Sequence, residues 1–599
     1  NQARGAEVYT PVKFINSFDK TINAKIILAS YKNSAMISCV LKDVQITPAS
    51  IVSDNLGILV PDECDEIKAF IWEDNLMPII PAQILSHTSK IKSEMNIPKL
   101  GNAYFGNNVE LGVTLKEENN RSFEGKLRLT LEAENGECVI SEKDIGLNGR
   151  EEKNVNFNIA APKYGYYSVK AECISADGVI KSAATDRISV IAAAKNTNAK
   201  VGFSDHTTKN YGFSVDKLKM AANAGAGTIR DEIRWTEFET TEGVYTPDIY
   251  TKGWLDFTEE TGQKKLSILG YWFPERTQVG IPRTTADIEA FKKYVTEVLK
   301  YTKDMNIDYE LWNEHNVHMG DDYGSIDDYV NIAKIVYPLK QEINPDAKMY
   351  VLATGNTNNV NEYIEECFKK GIGDYCDGIS IHPYNITLAP EHTKFNSDIN
   401  SVKDLMTQYN MANKELIISE MGWTTTSEEY KWTDEDTQAN YTIRAMALYQ
   451  DMVDRIYWYN LQEKTVSDMT DVELHFGFLR GWTNCEIPYE PKPAFLALSN
   501  YNRLMTNSQK IKKMEHSNEN AEVHLFNNNK GTNTIIAWSK ASEVKTAINI
   551  GAASVVISDR YGNEKSVDTK NGILELSLTV EPIYITGSFS DEISEYEVQ

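Results

Sequence analysis

Two short segments carry residues whose types and spacing could do chemistry. In Glu310-Leu311-Trp312-Asn313-Glu314 and in Ile417-Ile418-Ser419-Glu420-Met421-Gly422-Trp423, an apolar, strand-like run ends in a glutamate beside an aromatic. Glu420 lies 106 positions after Glu314. If both runs are strands of one parallel barrel, both glutamates stand at carboxyl ends, on the same face. Two carboxylates facing one another across a cleft are what cleavage of a glycosidic bond needs. One holds a proton for the departing oxygen. The other stays ionised to attack the sugar carbon.

The elements that would position them can be read from residue 195 onward, where apolar β-like runs alternate with helix-length segments. Eight strands are expected at Lys200–Phe203, Thr228–Asp231, Lys265–Tyr271, Tyr309–Trp312, Met349–Thr354, Gly378–His382, Glu415–Ser419 and Arg455–Tyr459. Helical patterns lie between them, as in Ile288–Tyr301, where Phe291, Tyr294, Val295 and Val298 share one face. Strand–helix alternation repeated eight times predicts a (β/α)₈ TIM barrel over 195–506. A doubly wound open sheet would need a Gly-rich loop after its first strand, and Gly202-Phe203-Ser204-Asp205-His206 is not one. Outside the barrel the pattern has period two. Residues 1–98 predict an all-β module and 99–194 an immunoglobulin-like β-sandwich. Residues 507–599 predict a C-terminal β-sandwich whose acidic tail, from Asp591, is expected to be mobile. The chain is therefore read as multidomain, a central barrel flanked by β-sandwich modules.

In such a barrel Glu314 ends the fourth strand and Glu420 the seventh, so they face each other over the mouth. A separation of roughly 5 Å would mark retention of configuration. Glu314 is assigned as acid/base, its pKa raised by burial against Trp312 and by the charge of Glu420. Glu420 is assigned as nucleophile, kept ionised by Arg230 at the end of the second strand. His206, ending the first strand, lines the pocket or caps a loop. Eight of the ten Trp residues fall in the barrel segment, including Trp272, Trp312, Trp423 and Trp458, a concentration suited to the flat faces of sugars.

Trp312-Asn313-Glu314 and Ser419-Glu420-Met421-Gly422-Trp423 resemble the fourth- and seventh-strand motifs of glycoside hydrolase clan A. Arg230 resembles that clan's second-strand arginine, and His382-Pro383-Tyr384 its sixth-strand motif. Within the clan, Phe476-Gly477-Phe478-Leu479 and Pro491-Lys492-Pro493-Ala494-Phe495 are most similar to family 39 and related bacterial polysaccharide hydrolases. The resemblance covers about 195–505. One departure is His315, where many members have Pro. The resemblance implies that Tyr384 donates to the nucleophile, that Asn313 bonds the sugar 2-hydroxyl, and that Trp458 floors the subsite where the sugar is attacked.

Composition narrows the class. Lys plus Arg number 61 against 86 Asp plus Glu, a formal charge of −25. That disfavours nucleic acid as a partner, which needs a basic face. No apolar run is long enough to span a membrane. The seven Cys residues include no CxxC pair. Buried free thiols are expected, with a Cys138–Cys173 pair as the alternative. His315 and His318 with Asp321 and Asp322 read as a solvated loop rather than a zinc site. The chain opens on Asn1 with no signal-peptide pattern, as a trimmed product of a longer protein would. The expected function is retaining hydrolysis of a β-linked polysaccharide or oligosaccharide, without cofactor or metal, by a secreted or cell-surface bacterial protein. A transglycosylase or a non-catalytic carbohydrate-binding surface protein are the alternatives.

Overall fold

A computed structural model describes residues 7–16, 20–32, 34–48, 50–59, 64, 66–75, 77–86, 89–118, 121–209, 215–270, 274–275, 277, 279–320, 323–426, 433–463, 471–482, 485–528 and 531–596. The chain forms two compact units. One comprises Asn1–Pro98, Asn108–Pro162 and Tyr166–Ile188; the other comprises Lys99–Asn107, Lys163–Gly165 and Ser189–Gln599.

The second unit holds a closed barrel of eight parallel strands in sequence order. They are β1 (Asn198–Ser204), β2 (Ala226–Ile233), β3 (Lys264–Leu269), β4 (Ile307–Leu311), β5 (Met349–Gly355), β6 (Gly378–His382), β7 (Glu415–Met421) and β8 (Arg455–Tyr459). Most are buried along their whole length, because helices cover the outside and side chains fill the inside. A helix follows each strand, for example Thr285–Thr302 after β3 and Ile326–Ile343 after β4. Their starts are written in the sequence. Thr284 accepts from the Asp287 amide, and Ser325 with Asp328 forms a reciprocal capping box. Phe291, Tyr294, Val295 and Val298 are buried on one face, as the periodicity predicts.

Alternation decides which residues point into the barrel. Leu266, Tyr350, Ile417 and Tyr457, from β3, β5, β7 and β8, pack as one interior layer. Arg455 of β8 reaches Asp308 of β4 at 2.9 Å. Tyr457 therefore faces inward and Trp458 outward, toward the helices.

The C-terminal sandwich pairs a six-stranded sheet with a three-stranded one. Val523, Leu525, Ile535, Ile548, Leu574 and Ile585 form its core. Ser594–Glu595 pair with Ile548 and Asn549, so part of the tail expected to be mobile is a strand. Glu391 ties the sandwich to the barrel, accepting from Trp538 Nε1 at 2.7 Å and from Arg444 at 2.7 and 2.6 Å.

The first unit is all-β. A four-stranded sheet, Ala35–Ile46, Ile22–Lys32, Glu66–Glu73 and Pro78–Ser86, is accompanied by the pair Glu7–Ile15 and Ile51–Leu59, with Ile26, Leu28, Leu56, Ile58 and Ile67 between them. Ile91–Asn96 pairs with Asn108–Glu117, so this strand belongs to the sheet of the second module although it precedes residue 98. All seven cysteines are free. Cys173, Cys367 and Cys376 are buried, whereas Cys39 and Cys138 are exposed, because each lies on the outward face of its strand. Among the described residues, no helix is long and apolar enough to cross a membrane.

Candidate active site

At the carboxyl end of β4, alternation should turn Trp312 inward after Asp308 and Glu310. It does not, because Trp312 takes a left-handed φ of 68° and Glu314 one of 47°. Such angles are costly outside glycine and persist where surrounding contacts fix them. Here the Glu314 amide donates to the Ala353 carbonyl at 2.9 Å. Asn316 clamps Gly355 at the end of β5, donating to its carbonyl at 2.8 Å and accepting from its amide at 3.0 Å. Gly355 leaves the space that the Glu314 carboxyl needs, since a Cβ there would stand 3.0 Å from Glu314 Oε1. In β7, the register against β8 shifts between Ile418 and Met421, and this bulge lets both Ser419 and Glu420 reach the interior.

The two glutamates meet. One carboxylate oxygen from each, together with His382 Nδ1, lies within 4.8 Å of the others. Arg230 Nη1 donates to Glu420 Oε1 at 2.5 Å, and the Tyr384 hydroxyl donates to Glu420 Oε2 at 2.9 Å. Arg230 also reaches Ser204 Oγ at 3.1 Å, Asn313 Oδ1 at 2.8 Å and Glu310 Oε2 at 2.7 Å. With Asn313 Oδ1 occupied by Arg230, its amide nitrogen is the group left for a ligand. Burial and the neighbouring Glu420 charge push the Tyr384 phenol up, which keeps it a donor.

Glu314 pairs with His382, whose Nδ1 lies 2.8 Å from Glu314 Oε1 and whose Nε2 lies 2.9 Å from Ser419 Oγ. Burial presses the Glu314 carboxyl up, but the hydrogen bond and charge of His382 and the charge of Arg230 outweigh it, and the net direction is down. Burial presses His382 down, while the charge of Glu420 and the bond and charge of Glu314 outweigh it, and the net direction is up. The expected elevation of Glu314 is thus reversed: the bond to His382 favours the ionised carboxyl and the charged imidazole. The Trp312 ring lies on Gly270 and edge-on to Phe291.

Glu314 and Glu420 open into a cleft of about 670 Å³. Glu420 and Glu314 keep 13% and 24% of their side-chain surface, enough for a ligand to reach them, while His382 keeps none. The lining of the cleft includes His206, Glu232, Tyr459, Phe476, Asn356 and Asn385. The His206 ring bonds the Tyr459 hydroxyl at 3.2 Å. Glu314, His382 and Glu420 are the one group among the described residues near enough together to suggest a metal. His382 Nδ1 is already bonded to Glu314, and the Arg230 charge beside Glu420 opposes a second cation.

Of the residues expected here, Glu314, Glu420, Asn313, Arg230, His382, Tyr384 and His206 are brought together. Three tryptophans are not, and their assignment to substrate is corrected. Trp312, Trp423 and Trp458 are at most 1% exposed. Trp423 donates to the Leu388 carbonyl at 3.0 Å and packs beside Trp458, 6.2 Å between ring centroids. Trp458 faces the helix layer, and its neighbour Tyr459 takes the cleft position. Trp272, Asp321 and Asp322 lie outside the described residues. His315 is buried, bonded to the Tyr363 hydroxyl at 2.8 Å and stacked on Tyr329, and burial presses its pKa down to about 4. It is a neutral packing residue. Arg230 pairs with Glu310 and with Glu420. Tyr459, Phe476, Asn356 and Glu310 were missed; period-two counting forward from Tyr457 would have found Tyr459.

No protein-family model matches the sequence, and no curated protein matches it. The structure is similar to a family 39 glycoside hydrolase from the gut symbiont Bacteroides cellulosilyticus WH2, at 20% identity and a TM-score of 0.66, over 82% of this chain and 99% of that one. It is also similar to a GH39 β-xylosidase from Caulobacter crescentus, at 12% identity and a TM-score of 0.48, over 66% of this chain and 97% of that one. A GH39 enzyme from Xanthomonas axonopodis pv. citri gives 12% identity and 0.46, over 66% and 95%. The first of these shares the fold over nearly its whole length, so the architecture is one that family 39 glycoside hydrolases use, as the strand-end motifs implied.

Proposed function

We propose that the chain is a glycoside hydrolase that cleaves β-linked oligosaccharide or polysaccharide with retention, through a covalent intermediate on Glu420. The observation that carries this reading is the approach of the two carboxylates to within 4.8 Å. Retaining pairs stand about 5–5.5 Å apart, whereas inverting pairs leave roughly 6.5–9.5 Å for a water. The fold shared with a family 39 glycoside hydrolase supports it.

In the first step a Glu420 oxygen bonds to the sugar carbon, the bond to the leaving oxygen breaks, and Glu314 gives that oxygen a proton. The proton reaches Glu314 from His382 across their 2.8 Å hydrogen bond. In the second step water attacks the same carbon, Glu314 takes its proton, and the carboxylate of Glu420 leaves. Arg230 and Tyr384 donate to Glu420 and orient it. The Asn313 amide is placed to bond a sugar hydroxyl, a contact that strengthens as the transition state forms. The flanking β-modules favour a polymeric substrate met outside the bacterial cell or at its surface.

The test is to replace Glu420→Gln and Glu314→Gln and assay a panel of β-linked polymers and aryl β-glycosides. Loss of turnover in the first, and restoration of the second by azide on an activated aryl glycoside, is expected. Turnover by Glu420→Gln at the wild-type rate removes Glu420 from the mechanism.

A further inference from the structure

Glu310 sits one layer beneath the reacting pair. It is fully buried on β4, and its Oε2 accepts from Arg230 Nε at 2.7 Å and lies 2.5 Å from Nη2. Its other oxygen, Oε1, is buried with no partner among the described residues. A buried carboxylate left half-satisfied is expensive. A glutamine would offer Arg230 the same acceptor without the charge, so hydrogen bonding alone does not call for an acid here. What the charge does add is a second anion on Arg230, whose Nη1 bonds Glu420 at 2.5 Å. One cation is shared by two carboxylates.

We infer that Glu310 is a positioning residue that acts as a counter-charge, limiting how tightly Arg230 holds Glu420. This rests on reading Glu420 as the nucleophile. A carboxylate facing an undiluted guanidinium is less basic, hence a weaker nucleophile and a better leaving group. Glu420 plays both parts: it attacks the sugar carbon in the first step and departs from it in the second. Removing the Glu310 charge therefore moves the two steps in opposite directions. A residue that merely seats Arg230 would, on removal, slow both.

The experiment compares wild type with Glu310→Gln, using the 2,4-dinitrophenyl 2-deoxy-2-fluoro-β-glycoside of whichever sugar the wild type hydrolyses. The fluorine slows both steps, so the glycosyl-enzyme accumulates and can be followed by intact mass. Both rate constants are first-order at saturation, so they do not depend on the fraction of variant that folds. Labelling is expected to slow about three- to tenfold and loss of the label to speed up by a similar factor. Glu310→Asp, which keeps the charge, is expected to stay within about twofold of wild type in both steps. Parallel slowing of both steps in Glu310→Gln, no change in either, or the same split in Glu310→Asp overturns the counter-charge. A wild type that hydrolyses the parent glycoside yet carries its label on a residue other than Glu420 overturns the assignment of the nucleophile itself, and the inference falls with it.

Discussion

Gly355→Ala puts one methyl group behind Glu314, the proposed acid/base, and asks how much its placement matters. Gly355 does not have a positive φ, so the backbone accepts alanine. The new Cβ stands 2.5 Å from Val317 Cγ2, 3.0 Å from Glu314 Oε1 and 3.1 Å from Glu314 Cδ. Carbon–carbon contact is comfortable near 3.5–4.0 Å, so Val317 must retreat by about 1 Å and the carboxyl by about half that. Overpacking of this kind costs about 1–3 kcal/mol of stability. A misplacement of about 1 Å at a reacting group costs about 10²-fold in rate. If the displaced group is the acid, as proposed, the loss should depend on the leaving group. Aryl β-glycosides that leave without protonation should lose only severalfold in kcat/KM; alkyl β-glycosides, which need the proton, should lose about 10²-fold. Equal losses on both would mean that the methyl group had disturbed the site at large. An unchanged alkyl glycoside rate would refute the placement of Glu314 against Gly355.

Trp458→Ala should cost about 3–5 kcal/mol in urea unfolding, because the ring packs on Trp423 and Phe478. Tyr459→Phe, one residue on, should leave stability within about 1 kcal/mol yet lower kcat/KM, since it removes the hydroxyl that bonds His206 at the cleft. Glu463 and Lys492 form a buried pair at 2.8 Å that joins the segment after β8 to the last barrel helix. Burial presses Glu463 up, but the Lys492 charge and the bonds from His475 and Lys492 outweigh it, and its pKa falls from 4.5 to about 2. A depressed carboxyl adds stability that is present above pH 4.5 and is lost as pH falls toward 2, about 3 kcal/mol at most. Glu463→Gln should abolish that part of the acid slope and, by stranding Lys492, cost about 3–5 kcal/mol at pH 7. Urea midpoints measured from pH 3 to 7 check both statements.

The barrel was legible because each strand is a short apolar run bounded by turn residues, and a helix of clear periodicity follows. Phe291, Tyr294, Val295 and Val298 fell on the buried face as spaced. The meeting of Glu314 and Glu420 was legible because both end such runs, three strands apart. The tryptophans were not. Aromatic content says that rings are present, not which way they point, and direction is set by strand parity and by local breaks in it. Trp312 is turned outward by a left-handed backbone angle that no residue type announces. Trp458 is turned outward by simple alternation, which Tyr457 in the interior layer makes readable. The pKa of Glu314 was misjudged because it depends on His382, which β6 brings to 2.8 Å, 68 positions away in the chain. Such a long-range partner changes the sign of the shift that burial alone would give.

The central claim is that Glu314 and Glu420 work as a retaining pair. Proton NMR of the first minutes of hydrolysis of an aryl β-glycoside tests it most directly, because it reads the configuration of the sugar before mutarotation blurs it. Two carboxylates within 4.8 Å predict that the β-anomer appears first. The α-anomer appearing first would mean single displacement by water, and would contradict the covalent role given to Glu420.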